Sequence, residues 1–420
     1  MSQPFAMFFG FYWLLHVFMP SLQWHVQYFR YPGANAYQEP LYVLSMILCF
    51  LGMIVTQLAY RYLFQDGMRI SLKYKTFELR TFGVFFVSAS CIFATGVAFG
   101  AKQALVILSV GFENYMADRI SFGVGGGIKL LLAHWMYVSV IVFFFGFKVY
   151  QKFVWPRRLC LLMATIAFCC TLLYYGLNSN RNSVFILLLN LIVVWRLFVT
   201  PEDLKATKAN NIKLVLLLSV MGLFFAVASS LRYDTHPAKG GEDKNVAEKV
   251  VKTLNGGFGN HENIVWLLHN PQPLLYGTTY VAAFANLIPR SFWPEKPVGG
   301  GPVIKNMIWP GSYQVGRKGN SSLTTGFFTE GLMNFGYLGF LIVPVLWSLY
   351  CKLLATVAKN QSNPLWALAF TFLFLQASTA FMYGEFLGFF ARVVLSVFPV
   401  LVIAMLMSAF RLDDSEDNKS

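Results

Sequence analysis

Apolar residues in this chain come in long blocks divided by short polar connections. Windows of about 18 or more largely apolar residues predict about ten membrane-crossing helices, at 5–24, 41–60, 81–101, 128–147, 159–176, 183–199, 212–231, 331–354, 364–382 and 386–410. Open sheets are excluded from this role, because lipid leaves their edge groups unpaired. The pattern therefore predicts an all-α polytopic membrane protein. Its first window begins close to Met1, without a basic leader or small-residue cleavage site, and reads as a retained span.

The connections differ in charge, and an excess of Lys and Arg marks the cytoplasmic side. The connection after the second window carries Arg61, Arg69, Lys73, Lys75 and Arg80. That after the fourth carries Lys148, Lys152, Arg157 and Arg158, and that after the sixth Lys205, Lys208 and Lys213. Connections on the other side hold far less: Arg30, then Lys102 and Arg119, then Arg181. Both termini are thus expected inside. The chain divides into spans over 1–231, one long external segment over 232–328, the last spans over 329–410 and a cytoplasmic tail over 411–420.

Composition agrees: 56% of the 420 residues are hydrophobic and 12% charged, with 42 Phe. The net charge of +14 invites a nucleic-acid reading, but much of the basic excess lies in the cytoplasmic connections, where topology accounts for it. No nucleic-acid partner is expected. The cysteines (Cys49, Cys91, Cys160, Cys169, Cys170, Cys351) lie in or beside spans, so neither a disulfide framework nor a metal cluster is implied for the external segment. The tail "RLDDSEDNKS" reads as a solvated terminus.

Polar chemistry then concentrates at the external face. "LNSNRNS" places Arg181 on a tight external turn, either as a lipid-phosphate contact or as part of a site. "ASSLRYDTH" brings Arg232 out of the membrane beside Asp234, which offers an anion site or a simple pair. In "GNHENIVWLLH", His261 and Glu262 head an amphipathic run; Glu262 there is a helix N-terminal carboxylate or a general base, a role His261 also suits. "NLIPRSFWPEKPVGGG" joins Arg290, Lys296, two aromatics and a triglycine, which reads as a flexible loop or as an anion nest. Arg290 offers a planar fork suited to phosphate. "GRKGNSS" adds Arg317 and Lys318, and Glu330 stands where the chain re-enters the membrane. In the last window Arg392 follows Glu385 by seven residues, on roughly the same helix face, so the two pair or line a polar cavity. Arginines suit a phosphorylated ligand, and aromatics with polar rims suit sugars or lipid chains.

With these residues in place, the second half resembles the Wzy family of O-antigen and oligosaccharide repeat-unit polymerases, including the branch that builds enterobacterial common antigen. "NSNRNSVFILLL" is similar to the family's Arg turn into a span, "LRYD" to its Arg-Tyr exit and "HENIVWLL" to its Glu-Asn helix. "LIPRSFWPEKP" resembles its Pro, Trp and Pro loop, and "GEFLGFFARVV" the Glu and Arg of its last span. Over the first 170 residues the likeness is one of span pattern only.

The resemblance implies a GT-C-like bundle and a metal-independent, inverting glycosyltransferase without cofactor, acting on undecaprenyl-pyrophosphate-linked units at the periplasmic face of the bacterial inner membrane. It implies Glu262 as the base, with His261 and Glu385 behind it. Arg181, Arg232, Arg290, Lys296, Arg317 and Arg392 would hold diphosphate or sugar. A chain-length regulator and a flippase are the partner proteins it suggests, beside the bilayer itself. An O-antigen ligase is the alternative within the same chemistry. A transporter or flippase for a lipid-linked or anionic solute is the alternative of another class.

Overall fold

The computed structural model of the protein describes residues 4–29, 31, 39–63, 77–117, 132–178, 181–198, 254–255, 258–288, 290–315, 322–359, 364–376 and 384–417. These are helical, with no strand among them. One continuous path comprises α1 (Pro4–Trp13), a π-helical turn (Leu14–Phe18) and α2 (Met19–Val26). There follow α3 (Glu39–Leu63), α4 (Phe82–Val110), α5 (Phe112–Ala117), α6 (Trp135–Val149), α7 (Val154–Leu177) and α8 (Arg181–Leu197). The second half contains α9 (His261–His269), α10 (Thr278–Ala285), α11 (Gly300–Ile308), α12 (Phe327–Phe335), α13 (Gly339–Lys359), α14 (Pro364–Gln376) and α15 (Phe386–Asp417).

Among the described residues five helical stretches are long and apolar enough to cross a membrane: Glu39–Leu63, Leu79–Val110, Val154–Leu177, Phe327–Leu354 and Phe386–Ala409. Their outward sides are also apolar, with Phe50, Leu58, Leu108, Leu173, Leu353 and Met405 all exposed. Water would penalise such surfaces, whereas hydrocarbon suits them. The expected window at 212–231 lies outside the described residues.

The helices form two packed groups. In one, α6 lies against α4, α7 and α8. It is apolar on every side and has Met136 through Phe143 buried, as a helix enclosed by neighbours requires. Its start fits because α4 carries Gly96, where any side chain would collide with the Met136 backbone. In the other group α3 packs along α13. The short helices α9 and α12 form a layer packed on the α3–α13 group, and α10 joins α12 to α15.

The window expected at 331–354 is reshaped. Its helix begins at Phe327 and is interrupted at Gly336, whose φ of 61° ends α12 before α13 starts. Every residue from Phe327 to Asn334 is buried, so α12 has no lipid-facing side. Gly331 and Gly339 explain how so short a turn closes: a Cβ on Gly339 would overlap the Gly331 carbonyl. Hydrophobicity alone does not register this break, because both pieces are apolar.

Candidate functional site

The segment 286–301 carries three glycines and two cations, and its partners are now definite. It runs from the end of α10 to the start of α11. Lys296 is buried, and its Nζ donates to the Ile288 carbonyl at 2.7 Å, with the Ala285 and Asn286 carbonyls and Asn286 Oδ1 each at 3.4 Å. Helix C-termini leave such carbonyls without intrahelical donors, and a cation there also suits the helix dipole. Lys296 is therefore a C-terminal clamp on α10 and not part of a flexible cationic rim. Arg290 Nη1 donates to the Pro294 carbonyl at 2.8 Å and to the Lys296 carbonyl at 3.4 Å, which stiffens the loop around its prolines. Outward from it stand Phe292 and Trp293, both exposed.

The triglycine forms the beginning of α11, not a loose loop, and meets two carboxylates. Glu385 Oε2 accepts the Gly301 amide at 2.6 Å. Glu330 Oε2 accepts the Phe386 amide at 2.7 Å, and its Oε1 accepts the Thr279 hydroxyl at 2.7 Å. Each acid thus satisfies an orphan N-terminal amide of a helix to which it does not belong, Glu385 at α11 and Glu330 at α15. Glycine is required for this approach: a Cβ on Gly299 would come within 2.5 Å of Glu385 Oε2, and one on Gly300 within 3.1 Å of Glu330 Oε1. Burial raises the Glu385 carboxyl above the ordinary carboxylate range, and the Gly301 amide partly offsets this.

Glu385 immediately precedes α15 and Arg392 lies on it, but the two do not pair. No ion pair joins them among the described residues, and Arg392 instead lies close enough to His134, Tyr137 and Tyr175 to act on them electrostatically. This cluster is polar and bonded: His134 Nδ1 and the Tyr175 hydroxyl are 2.7 Å apart, and His134 Nε2 and Ser396 Oγ 3.2 Å. Asn190 donates to the Tyr137 hydroxyl. The expectation of a structural Glu385–Arg392 pair is corrected by this geometry.

His261 and Glu262 lie apart from that group, sealed in the layer between α2, α3 and α9, and neither has any exposed surface. Glu262 Oε1 accepts the Tyr31 amide at 3.1 Å, and Oε2 accepts Gln23 Nε2 at 3.3 Å. Beside it Asn263 Nδ2 donates to the Thr324 carbonyl at 2.7 Å and the Thr325 carbonyl at 3.1 Å. His261 Nε2 and Ser45 Oγ are 2.9 Å apart, while His261 Nδ1 faces His16 Nδ1 at 3.0 Å. Burial lowers the His261 imidazole to about 3, which leaves it neutral and a poor proton acceptor at neutral pH. These partners make the two residues holding groups of the layer, and of the three groups expected as base Glu385 alone is not fully buried.

Arg181 is the first residue of α8. Arg232 and Arg317 lie outside the described residues. Sequence reasoning named Glu330 as an entrance residue without assigning it a role, and it did not single out His16, His134 or Tyr175. Their signal was nonetheless present, since polar residues inside apolar windows need internal partners.

The chain matches no family model, and neither a curated protein nor a solved structure shows detectable similarity to it.

Proposed function

We propose that this protein polymerises undecaprenyl-pyrophosphate-linked oligosaccharide repeat units at the periplasmic face of a bacterial inner membrane, giving O-antigen or a related surface polysaccharide. In this reading about ten spans cross the bilayer, both termini are cytoplasmic, and the segment 232–328 is periplasmic. The observation that carries it is the pairing of roles on α15. A carboxyl raised by burial stands at the helix start, and two turns deeper a half-buried arginine has no carboxylate partner among the described residues. Inverting glycosyl transfer calls for both: a base near the acceptor and a cation for the departing diphosphate.

Glu385 takes the proton of the acceptor hydroxyl as that oxygen attacks the anomeric carbon of the donor glycan. The bond from that carbon to the diphosphate breaks on the opposite face, and its electron pair leaves with undecaprenyl pyrophosphate. Arg392 offsets the charge that develops there, together with Arg181, Arg232 and Arg317. Arg290 supports this set, since a guanidinium has five donors and its two loop contacts leave others available. The exposed Tyr276, Phe284, Phe292 and Trp293 around α10 suit the interfacial level at which such a carrier presents its head group. A chain-length regulator and a flippase are the partner proteins of this reading.

Purified protein supplied with lipid-diphosphate-linked units should release undecaprenyl pyrophosphate and lengthen the glycan without added metal; no release from any of several repeat units would sink the proposal. Deleting the gene separates the ligase alternative: a surface bearing single repeat units indicates polymerisation, and one bearing no attached glycan indicates ligation. The His134, Tyr137, Tyr175 and Arg392 cluster lies on span-forming helices and favours a second reading, movement of an anionic solute. In vesicles that reading predicts translocation with no bond broken.

A further inference from the structure

One group of side chains is used neither by the proposed chemistry nor by the capping of any helix. His16, Cys49 and His261 come from three separate elements, the π-helical turn, α3 and α9, and all are buried. Their donor atoms converge. The two Nδ1 atoms are 3.0 Å apart, and Cys49 Sγ is 3.6 Å from His16 Nδ1 and 4.0 Å from His261 Nδ1.

We propose that these residues bind one soft metal ion, copper(I), as a two-histidine, one-cysteine site. An ion about 2.0 Å from each nitrogen and about 2.3 Å from the sulfur spans these separations with donor–metal–donor angles of roughly 97°, 114° and 137°, close to a trigonal plane. The tautomer of His261 is set for it. Ser45 donates its single hydroxyl proton to the Tyr42 carbonyl at 2.7 Å, so Ser45 Oγ accepts from His261 Nε2 and the Nδ1 lone pair faces the cluster. Such an outer hydrogen bond is the usual companion of a metal-bound histidine. His16 Nε2 is buried with no hydrogen-bond partner among the described residues, so Nδ1 carries the polar contacts of the ring, which also packs on Tyr12 and Phe328. The π-helical turn places His16 in a local widening of the helix, a distortion frequent at functional positions.

The donor set selects the ion. Thiolate and imidazole exclude magnesium and calcium and leave copper and zinc. On binding, the Cys49 thiol loses its proton and the thiolate coordinates the ion. With copper(I) the buried centre is then neutral; with zinc(II) it keeps a positive charge, which an apolar interior penalises. The ion joins the first helical path and α3 to α9, so it acts as a cross-link between the amino-terminal helices and the long segment, outside the transfer chemistry.

The test uses full-length protein in detergent with Cys91, Cys169 and Cys170 changed to Ser, because these more accessible thiols also attract copper. It is loaded anaerobically with copper(I), or separately with zinc(II), and desalted. Elemental analysis should find one copper per chain, and X-ray absorption should find two nitrogens and one sulfur around it. Cys49→Ser and His16→Phe should lose that equivalent while eluting as the same monodisperse species, and Ser45→Ala should weaken affinity about 10–100-fold. If the parent retains no copper, if Cys49→Ser retains as much, or if zinc is held in its place, the proposal is overturned.

Discussion

Glu385 Oε2 accepts the backbone amide of Gly301 at 2.6 Å, which ties the start of the last span to the first turn of α11. The acid is thereby a helix cap, and in the proposed function it is also the proton acceptor. The two roles make different demands on substitution. Glu385→Gln still offers an oxygen to Gly301 and should keep the fold, while the rate of undecaprenyl pyrophosphate release falls by about 10²–10⁴ if the group is a general base. Release at the parent rate from the Gln variant would leave Glu385 as a cap only.

Acidity gives a second, independent check on that carboxyl. Its folded-state pKa is raised above the ordinary 4.5 by burial, so between the two values the folded chain binds more protons than the unfolded one. Its contribution to stability is therefore complete below about 4.5 and is lost as pH rises towards the folded-state value. Thermal midpoints in detergent across this range should fall more steeply for the parent than for Glu385→Gln. Parallel curves would show that burial does not perturb the group.

The glycines at 299 and 301 have no room for a methyl group. A Cβ at 299 would reach the Glu385 carboxylate, and one at 301 the Leu323 carbonyl. Gly301→Ala meets fixed backbone and should destabilise by about 1–3 kcal/mol, as overpacking does. Gly299→Ala meets a side chain that can move, so its main effect should be on glycan extension. Measuring both midpoint and product length separates them; equal losses of stability would contradict the assignment.

Lys296 and Arg290 are adjacent cations with different expected phenotypes. Lys296→Met leaves the carbonyls at the end of α10 without their donor and should cost about 1–3 kcal/mol. Arg290→Ala should shorten or abolish the glycan at unchanged protein level, and Arg290→Lys should restore it partly if charge on the diphosphate is what matters. Full chain length in Arg290→Ala would reduce Arg290 to a loop brace.

Arg392→Gln removes charge from the interior while keeping much of the side-chain length. Slower release with donor binding largely retained would place the cation at the transition state, and loss of binding alone would place it at the ground state.

Much of the helical pattern was legible because membrane spans are a local property: a window of apolar residues carries its own signature, and α3, α4, α7 and α15 follow it. The break between α12 and α13 depends on a positive φ at Gly336 and on two glycines in contact, neither of which changes hydrophobicity. At the site, Glu385 and the triglycine were both visible, and an anion nest was one reading of the latter. That the anion is the chain's own Glu385 was not visible, because 84 residues separate it from Gly301. Lys296 was expected to hold diphosphate or sugar; its carbonyl partners were not visible, because they depend on where α10 ends. His16 and His261 are 245 residues apart, and no spacing rule links them.

The capping contacts at α11 and α15 also link the two helix starts through Glu385 and Glu330. One oxygen of Glu385 is held by the Gly301 amide, and a side chain at 299 or 301 would have no room beside it. Under the proposed function, an acceptor hydroxyl that reached Glu385 Oε2 would compete with that 2.6 Å contact. That one contact therefore fixes the position of the acid together with that of α11, so the two cannot shift independently.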